Sequence, residues 1–424
     1  MNKSAALLLV LVLAAFNIIT FLPVKANSRT IVVPDDYSTI AAAIGNASQG
    51  DTVFVKKGIY EEHSLVINET ITLVGEDKNA TVIHDIDPFT LEDRMFHPLE
   101  SASIRFAADR VKVTGFTLTG GVYGIDGVGN GTQIFDNNIR AKVVLKGSNQ
   151  TIMQNSINYG LHCTGSHNVI DANEFVNISS ITISGSFNVV CNNTITDEGT
   201  ISVGGNSNII AKNNLGYGII AEGSDNLVSG NFAGTLATSG YNNSFIANDV
   251  FYGVRMGSSK NDAVNVSFCC NNFYFLQDSV RPVGEKIFEV LCGVHGPVFF
   301  DNGEEGNFWS DYDGTDADGD GIGDTPYVIH ANDTENYEFT ADFDISNLVL
   351  TDHHPLMSPF DISGVAVDLP MWETPSFELP QSELFPTMPI AVASGVSVVV
   401  VGVGLLVYFR KRNRQSETRL VKKS

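Results

Sequence analysis

Apolar and polar positions alternate over short runs along most of this chain, and the alternation repeats. Six stretches align without gaps: GSNQTIMQNSI from Gly147, GSHNVIDANEF from Gly165, GSFNVVCNNTI from Gly185, GNSNIIAKNNL from Gly205, GSDNLVSGNFA from Gly223 and GYNNSFIANDV from Gly240. A seventh copy starts at Gly129, and the six successive starts are 18, 20, 20, 18 and 17 residues apart. Short β-prone runs such as Val143-Val144-Leu145 and Ile181-Thr182-Ile183 precede many copies. One repeat is therefore strand, Gly turn, strand, Asn, short strand, turn. A helix of about ten residues has no room, which argues against leucine-rich and helical solenoids.

Reading down the aligned copies predicts the inside of a coil. Leu145, Cys163, Ile183, Val203 and Ala221 lie two residues before the turn glycine. Ile152, Ile170, Val190, Ile210, Val228 and Phe245 lie five after it, and Ile157, Phe175, Ile195, Leu215, Ala233 and Val250 ten after it. Stacked at about 4.8 Å per coil, these columns form one continuous core. Two more columns are Asn: 168, 188, 208, 226 and 243, and 155, 173, 193, 213, 231 and 248. An inward turn strands amide groups that stacked Asn side chains satisfy from coil to coil, so both columns are expected to be structural ladders. The prediction is an all-β, right-handed, single-stranded parallel β-helix over residues 27–300. Ile71 to Gly75 and Val111 to Leu118 are earlier, less regular coils, and the amphipathic stretch Ser38 to Ala47 is the N-terminal capping helix.

The two ends change the picture. Lys3, an apolar run from Ala5 to Leu22 and Val24-Lys25-Ala26 have the order of a secretory signal peptide over 1–26. Pro389 to Phe409 is uncharged and long enough to cross a hydrocarbon core, and the basic tail 410–424 follows it. That pattern predicts a cell-surface protein with its β-helix outside, one transmembrane helix over 389–409 and its C-terminus in the cytoplasm. The chain carries −23; without the +6 of the tail and the +2 of the signal region, a net charge of −31 remains on 27–409. This excludes nucleic acid as a partner and favours solvation or cation binding. Ten Asn-x-Ser/Thr sequons in the exterior suit a glycoprotein. Five cysteines cannot all pair within one chain. Cys163 falls in an inward column and Cys191 in a mixed outward one, so they are not expected to bond, while Cys269, Cys270 and Cys292 offer one bridge in an unspecified pairing.

The opening Ile31 to Glu62 resembles the first coil of pectin-lyase-like β-helix proteins, including carbohydrate-binding and sugar-hydrolase (CASH) domains. Gly306 to Ile329, followed by Asp352 to Met357, resembles the NosD-like β-helix proteins, among them a maturation factor of a copper enzyme. The resemblance covers roughly 30–360 and is specific for fold, whereas one β-helix hosts many activities. It implies no catalytic residues here. Gln277-Asp278 lacks its companion motif, Arg110-Val111-Lys112 comes too early in the chain, and Asp171, Glu174, Lys212, Glu222 and Arg255 form no aligned cluster.

The sharpest local motif lies in 301–360, the C-terminal extension of the β-helix. Asp316, Asp318, Asp320 and Asp324 occupy positions 1, 3, 5 and 9 of a Gly-punctuated loop, with the Ile322 carbonyl at position 7. That set suits a structural Ca2+ ion, without the closing Glu of an EF-hand. His353-His354 invites a copper reading, but neighbours on an extended chain point to opposite sides and are not expected to chelate together. Residues 361–388, acidic and carrying four prolines, are expected to form a stalk. The function expected is that of a membrane-anchored, non-catalytic surface protein binding a polysaccharide, another glycan or an envelope protein. The alternatives are a calcium-dependent polysaccharide lyase, epimerase or hydrolase, and copper delivery to an envelope enzyme.

Overall fold

Each coil turns where the sequence supplies a residue able to take a left-handed backbone. The computed structural model describes residues 28–86, 102–177, 179–257, 263–275, 287–290, 297–330, 349–372 and 375. Within it the chain winds into a parallel β-helix with three ladders. The first is a thirteen-stranded sheet running from Thr30–Val33 to Val298–Phe299, every neighbouring pair parallel. The second passes through Gly58–Glu62, Ser156–Asn158 and Asn272–Phe273. The third passes through Leu65–Ile67, Lys142–Lys146 and Ile287–Val290. These two merge where the long strands Phe232–Tyr241 and Asp249–Met256 run through the corner between them.

Two corners explain the repeat. The turn glycines have positive φ, and a Cβ on Gly165 would overlap the carbonyl oxygen of Gly147 one coil earlier. Only glycine lets successive turns stack so closely. At the next corner a left-handed residue (Gln154, Ala172, Asn192, Lys212) precedes each inward Asn. The Asn Oδ1 then accepts from the backbone N–H and side-chain amide of the Asn one coil earlier, at 2.8–3.1 Å throughout. The predicted ladder is longer than its sequence column, since Asn137, Asn271 and Asn307 belong to it. The other ladder runs from Gln150 through Asn168 to Asn243.

All three predicted apolar columns are buried in one core. Towards the C-terminus this core becomes aromatic: Phe245, Phe268 and Phe300 stack at 4.8 and 5.1 Å, and Phe273, Trp309 and Tyr327 at 4.5 and 4.4 Å. The N-terminal end is closed by the helix Ile40–Gly45, whose Ile40, Ala43 and Ile44 are buried and whose N-cap Thr39 accepts from the Ala42 N–H. At the other end Tyr327–His330 and Val349–Asp352 form an antiparallel pair. Leu356 bridges both Phe308 and Ile322.

The chain then doubles back. Phe360 exchanges two hydrogen bonds with the Asn272 side chain, at 2.7 and 2.9 Å. Phe360, Ile362 and Val365 pack on Ala247, Cys269 and Cys270; Val367, Leu369 and Trp372 pack on Val189, Cys191 and Ala211. The start of the expected stalk therefore lies as a strap along the outside of the first ladder. The predicted signal peptide, the stalk from 376 on, the transmembrane segment, the basic tail, Gln277-Asp278 and Cys292 lie outside the described residues. Among the described residues no helix is long and apolar enough to cross a membrane.

Candidate functional site

The third ladder turns to solvent the residue three before each turn glycine. Arg105, Asp126, Val144 and His162 follow one another in register there, one coil apart. Lys142 and Lys146 flank this column on the strand between Asp126 and His162. Burial pushes the Asp126 carboxyl above the ordinary carboxylate value, although Arg105 and Lys146 pull it the other way. Burial also lowers the His162 imidazole below its usual value, and Lys142 and Lys146 lower it further, so it is neutral at pH 7. The result is a cationic patch on an acidic chain: Arg105, Lys142 and Lys146 around one carboxylate and one neutral imidazole.

This cluster contains none of Asp171, Glu174, Lys212, Glu222 and Arg255, the acidic and basic residues weighed from the sequence. The cluster lies upstream of the most regular copies, and only the register from Arg105 to His162 brings its members together. Of the residues considered earlier, Asp171 accepts from the Cys191 thiol at 3.3 Å and from Asn192 at 2.7 Å. Glu222 and Arg255 both line a cleft of about 230 Å³ further along the same ladder.

In the aspartate loop, Asp316, Asp318 and Asp320 offer carboxylate oxygens all within 4.8 Å of one another. Asp316 accepts from the N–H groups of Gly319, Asp320 and Gly321 at 2.7, 3.2 and 3.0 Å. Those bonds, Gly321 first, hold its carboxyl below the usual range. Asp324 instead closes the neck, accepting from the Ala317 N–H at 2.9 Å and the Thr315 hydroxyl at 3.3 Å. The Ile322 N–H donates to Asp320 at 2.8 Å. The loop is fastened to the end of the β-helix by Gly323 N–H to Pro355 O and Met357 N–H to Gly321 O, at 2.8 and 3.0 Å. Three convergent carboxylates on an anchored loop fit a hard cation that takes oxygen ligands.

His353 and His354 do not diverge as expected. Their Nδ1 atoms lie 3.2 and 3.5 Å from the two oxygens of one carboxylate, Asp301. The N–H groups of His353 and Gly303 also donate to it, and hydrogen bonding to His353 and Gly303 lowers its carboxyl against the opposing effect of burial. Cys163, Cys191, Cys269 and Cys270 are free thiols. Cys191 does sit on the outside of the ladder, but the strap buries it. Cys269 and Cys270 lie side by side, Sγ to Sγ 3.0 Å, because the left-handed corner at Cys270 turns consecutive side chains the same way.

No family model and no curated protein matches the chain. It is similar to solved structures of β-helix carbohydrate-active proteins. One is the alginate lyase AlyF-OU02 in complex with G6, at 12% identity and TM-score 0.41, covering 64% of this chain and 84% of that one. Another is the catalytic domain of a GH87 alpha-1,3-glucanase in complex with tetrasaccharides, at 12% and 0.43, covering 66% and 69%. A third is the PL6 family polysaccharide lyase Pedsa3628 from Pseudopedobacter saltans, at 14% and 0.33, covering 66% and 94%.

Proposed function

We propose that this protein is a cell-surface β-helix that binds an acidic polysaccharide along the outward face of its third ladder. One observation carries the reading: Arg105, Lys142 and Lys146 are gathered within three successive coils, with Asp126 on the middle one, of a chain that is otherwise strongly acidic. A polyanion is repelled elsewhere and attracted there, which selects both the ligand and its place. A rigid coil also presents its side chains already ordered, so little entropy is lost on binding. In this proposal residues 1–26 direct secretion, 389–409 anchor the chain with its C-terminus in the cytoplasm, and the aspartate loop holds a structural Ca2+ ion through Asp316, Asp318 and Asp320. The motifs around Gly306 to Ile329 and Asp352 to Met357 support a NosD-like relationship within that reading.

The test is binding of the purified chain to immobilised polygalacturonate, alginate and neutral dextran over a range of salt. Binding to the acidic polymers alone, weakening with salt and falling about tenfold in K142A/K146A, is expected for two lost charge contacts. Equal binding to dextran, or none to either acidic polymer, removes the proposal.

A second reading is favoured by His162. A neutral imidazole next to the strand that carries Lys142 and Lys146 is the arrangement a base needs to take a proton next to a sugar carboxylate. Lyase activity predicts unsaturated fragments, released by the wild type and absent in H162A while binding persists.

A further inference from the structure

The cleft of about 230 Å³ further along the third ladder is a place of a different character. It is lined by Tyr217, Thr235, Thr238 and Ser239, with Glu222 and Arg255 at its charged edge. Ser239 is buried, and its hydroxyl has no hydrogen-bond partner. A buried hydroxyl without a partner costs free energy, and a ligand hydroxyl entering the cleft relieves that cost. The floor is open because position 218 is glycine: a Cβ there would run into the Thr235 hydroxyl.

The cleft and the cationic patch share one face. Lys146, Thr164, Ser184, Gly204, Glu222 and Ser239 are consecutive partners in register, so Lys146 and Ser239 are five coils apart. At about 4.8 Å per coil that is roughly 24 Å. Between the two ends this column carries Thr164, Ser184, Gly204 and Glu222, and the column beside it carries His162, Thr182, Ser202 and Ile220, so the coils of Ser184 and Gly204 are the bare ones. On those two middle coils no side chain of the two columns is longer than threonine, so an extended chain that leaves the patch at His162 crosses short hydroxyl groups before it meets Glu222 at the edge of the cleft.

We propose that the cleft is a second subsite for the same polysaccharide, taking an uncharged part of a sugar ring through Ser239 and its neighbours. Ligand length then decides affinity, because only a chain reaching both ends gains the second contact without a second association cost. This inference rests on the reading of the patch as the site for acidic glycan, and its test separates the two.

The experiment is calorimetric titration of the full chain with graded oligogalacturonides and graded alginate oligomers, for the wild type, S239A/T235V and K142A/K146A. The expected result is a step in affinity once an oligomer spans roughly 24 Å. S239A/T235V should weaken only the oligomers beyond that step, by about tenfold, as for one good hydrogen bond lost. Both changes nearly keep side-chain volume, and a melting temperature no lower than that of the wild type verifies the fold. Short oligomers that bind through Lys142 and Lys146, with no step and no effect of S239A/T235V, overturn the subsite and leave the patch standing. Failure of every oligomer in both series overturns the patch and the subsite together.

Discussion

Asn307 donates its backbone N–H to Oδ2 of Asp352 at 2.7 Å, and there the inward Asn ladder ends. Up to that coil each Asn accepts from the one before it. The last has no further coil, and a residue 45 positions later supplies the acceptor. The same oxygen also accepts from Asn307 Nδ2 at 3.3 Å and the Trp309 indole N–H at 2.8 Å. An acceptor oxygen suits this place because every group facing it is a donor.

Removing that acceptor should loosen the C-terminal end first. D352A strands the Asn307 N–H and the Trp309 indole in a buried site, at about 1–3 kcal/mol for each orphaned group. We expect a lower melting temperature and early loss of tryptophan fluorescence, with D352N intermediate because it keeps one oxygen. A D352A protein as stable as the wild type would mean that the ladder needs no terminal acceptor.

Asp352 also sets a direction for pH. Burial raises its carboxyl above the ordinary value, although bonds from Asn307, Trp309 and His354 oppose the rise. The folded state therefore holds the proton more tightly than the unfolded chain. Its stabilising contribution is fully present below the unfolded carboxylate value and is lost as pH rises through the folded one. The stability of the wild type minus that of D352N should grow as pH falls from neutral towards 4, measured by denaturant titration at several pH values. A difference that shrinks on acidification would show that the ionised form is the preferred one.

The columns at two before, five after and ten after the turn glycine were legible because 17- to 20-residue steps keep them aligned. The ladder members Asn271 and Asn307 were not, since 36 residues separate them and no regular step connects them. Asp352 was hidden further, as it arrives through an antiparallel pair after the coils have ended. The cationic patch was hidden because Arg105 and Asp126 precede the regular copies and Lys142 and Lys146 flank the outward column without sharing its position. In the strap, Val365, Val367 and Leu369 alternate with polar or small residues at the period of a strand. Prolines and acidic residues around them gave the composition of a solvated linker, while the apolar outward residues Cys191 and Ala211, which mark its seat, lie far away in sequence.

The strap makes a prediction that thiol chemistry can read. Cys191 lies beneath Val367, Leu369 and Trp372, so it should resist alkylation in the native chain. V367D/L369D should expose it with little effect on the inward Cys163, because the coil beneath does not depend on the strap for its own hydrogen bonds. Mass spectrometry of the alkylated peptides distinguishes the two sites. Equal labelling of Cys191 in the wild type and V367D/L369D would remove the strap as its cover.

The aspartate loop separates its fold from its proposed ion by two substitutions. Asp324 is committed to the neck through Ala317 and Thr315, so D324N should lower stability even in chelator. Asp318 accepts from the Asp320 N–H at 3.4 Å and holds an exposed carboxylate beside those of Asp316 and Asp320. D318N should therefore leave the metal-free protein unchanged and weaken calcium alone. Saturating calcium at about a hundred times its dissociation constant adds roughly 2.7 kcal/mol to a folded state that binds it and an unfolded one that does not. We expect a higher melting temperature in calcium than in chelator, a smaller effect of magnesium because it keeps its water, and a smaller calcium effect in D318N than in the wild type. If calcium leaves the melting temperature of the wild type where chelator puts it, the three carboxylates form an acidic turn that needs no metal, and the end of the β-helix is held by Leu356 and Asp352 alone.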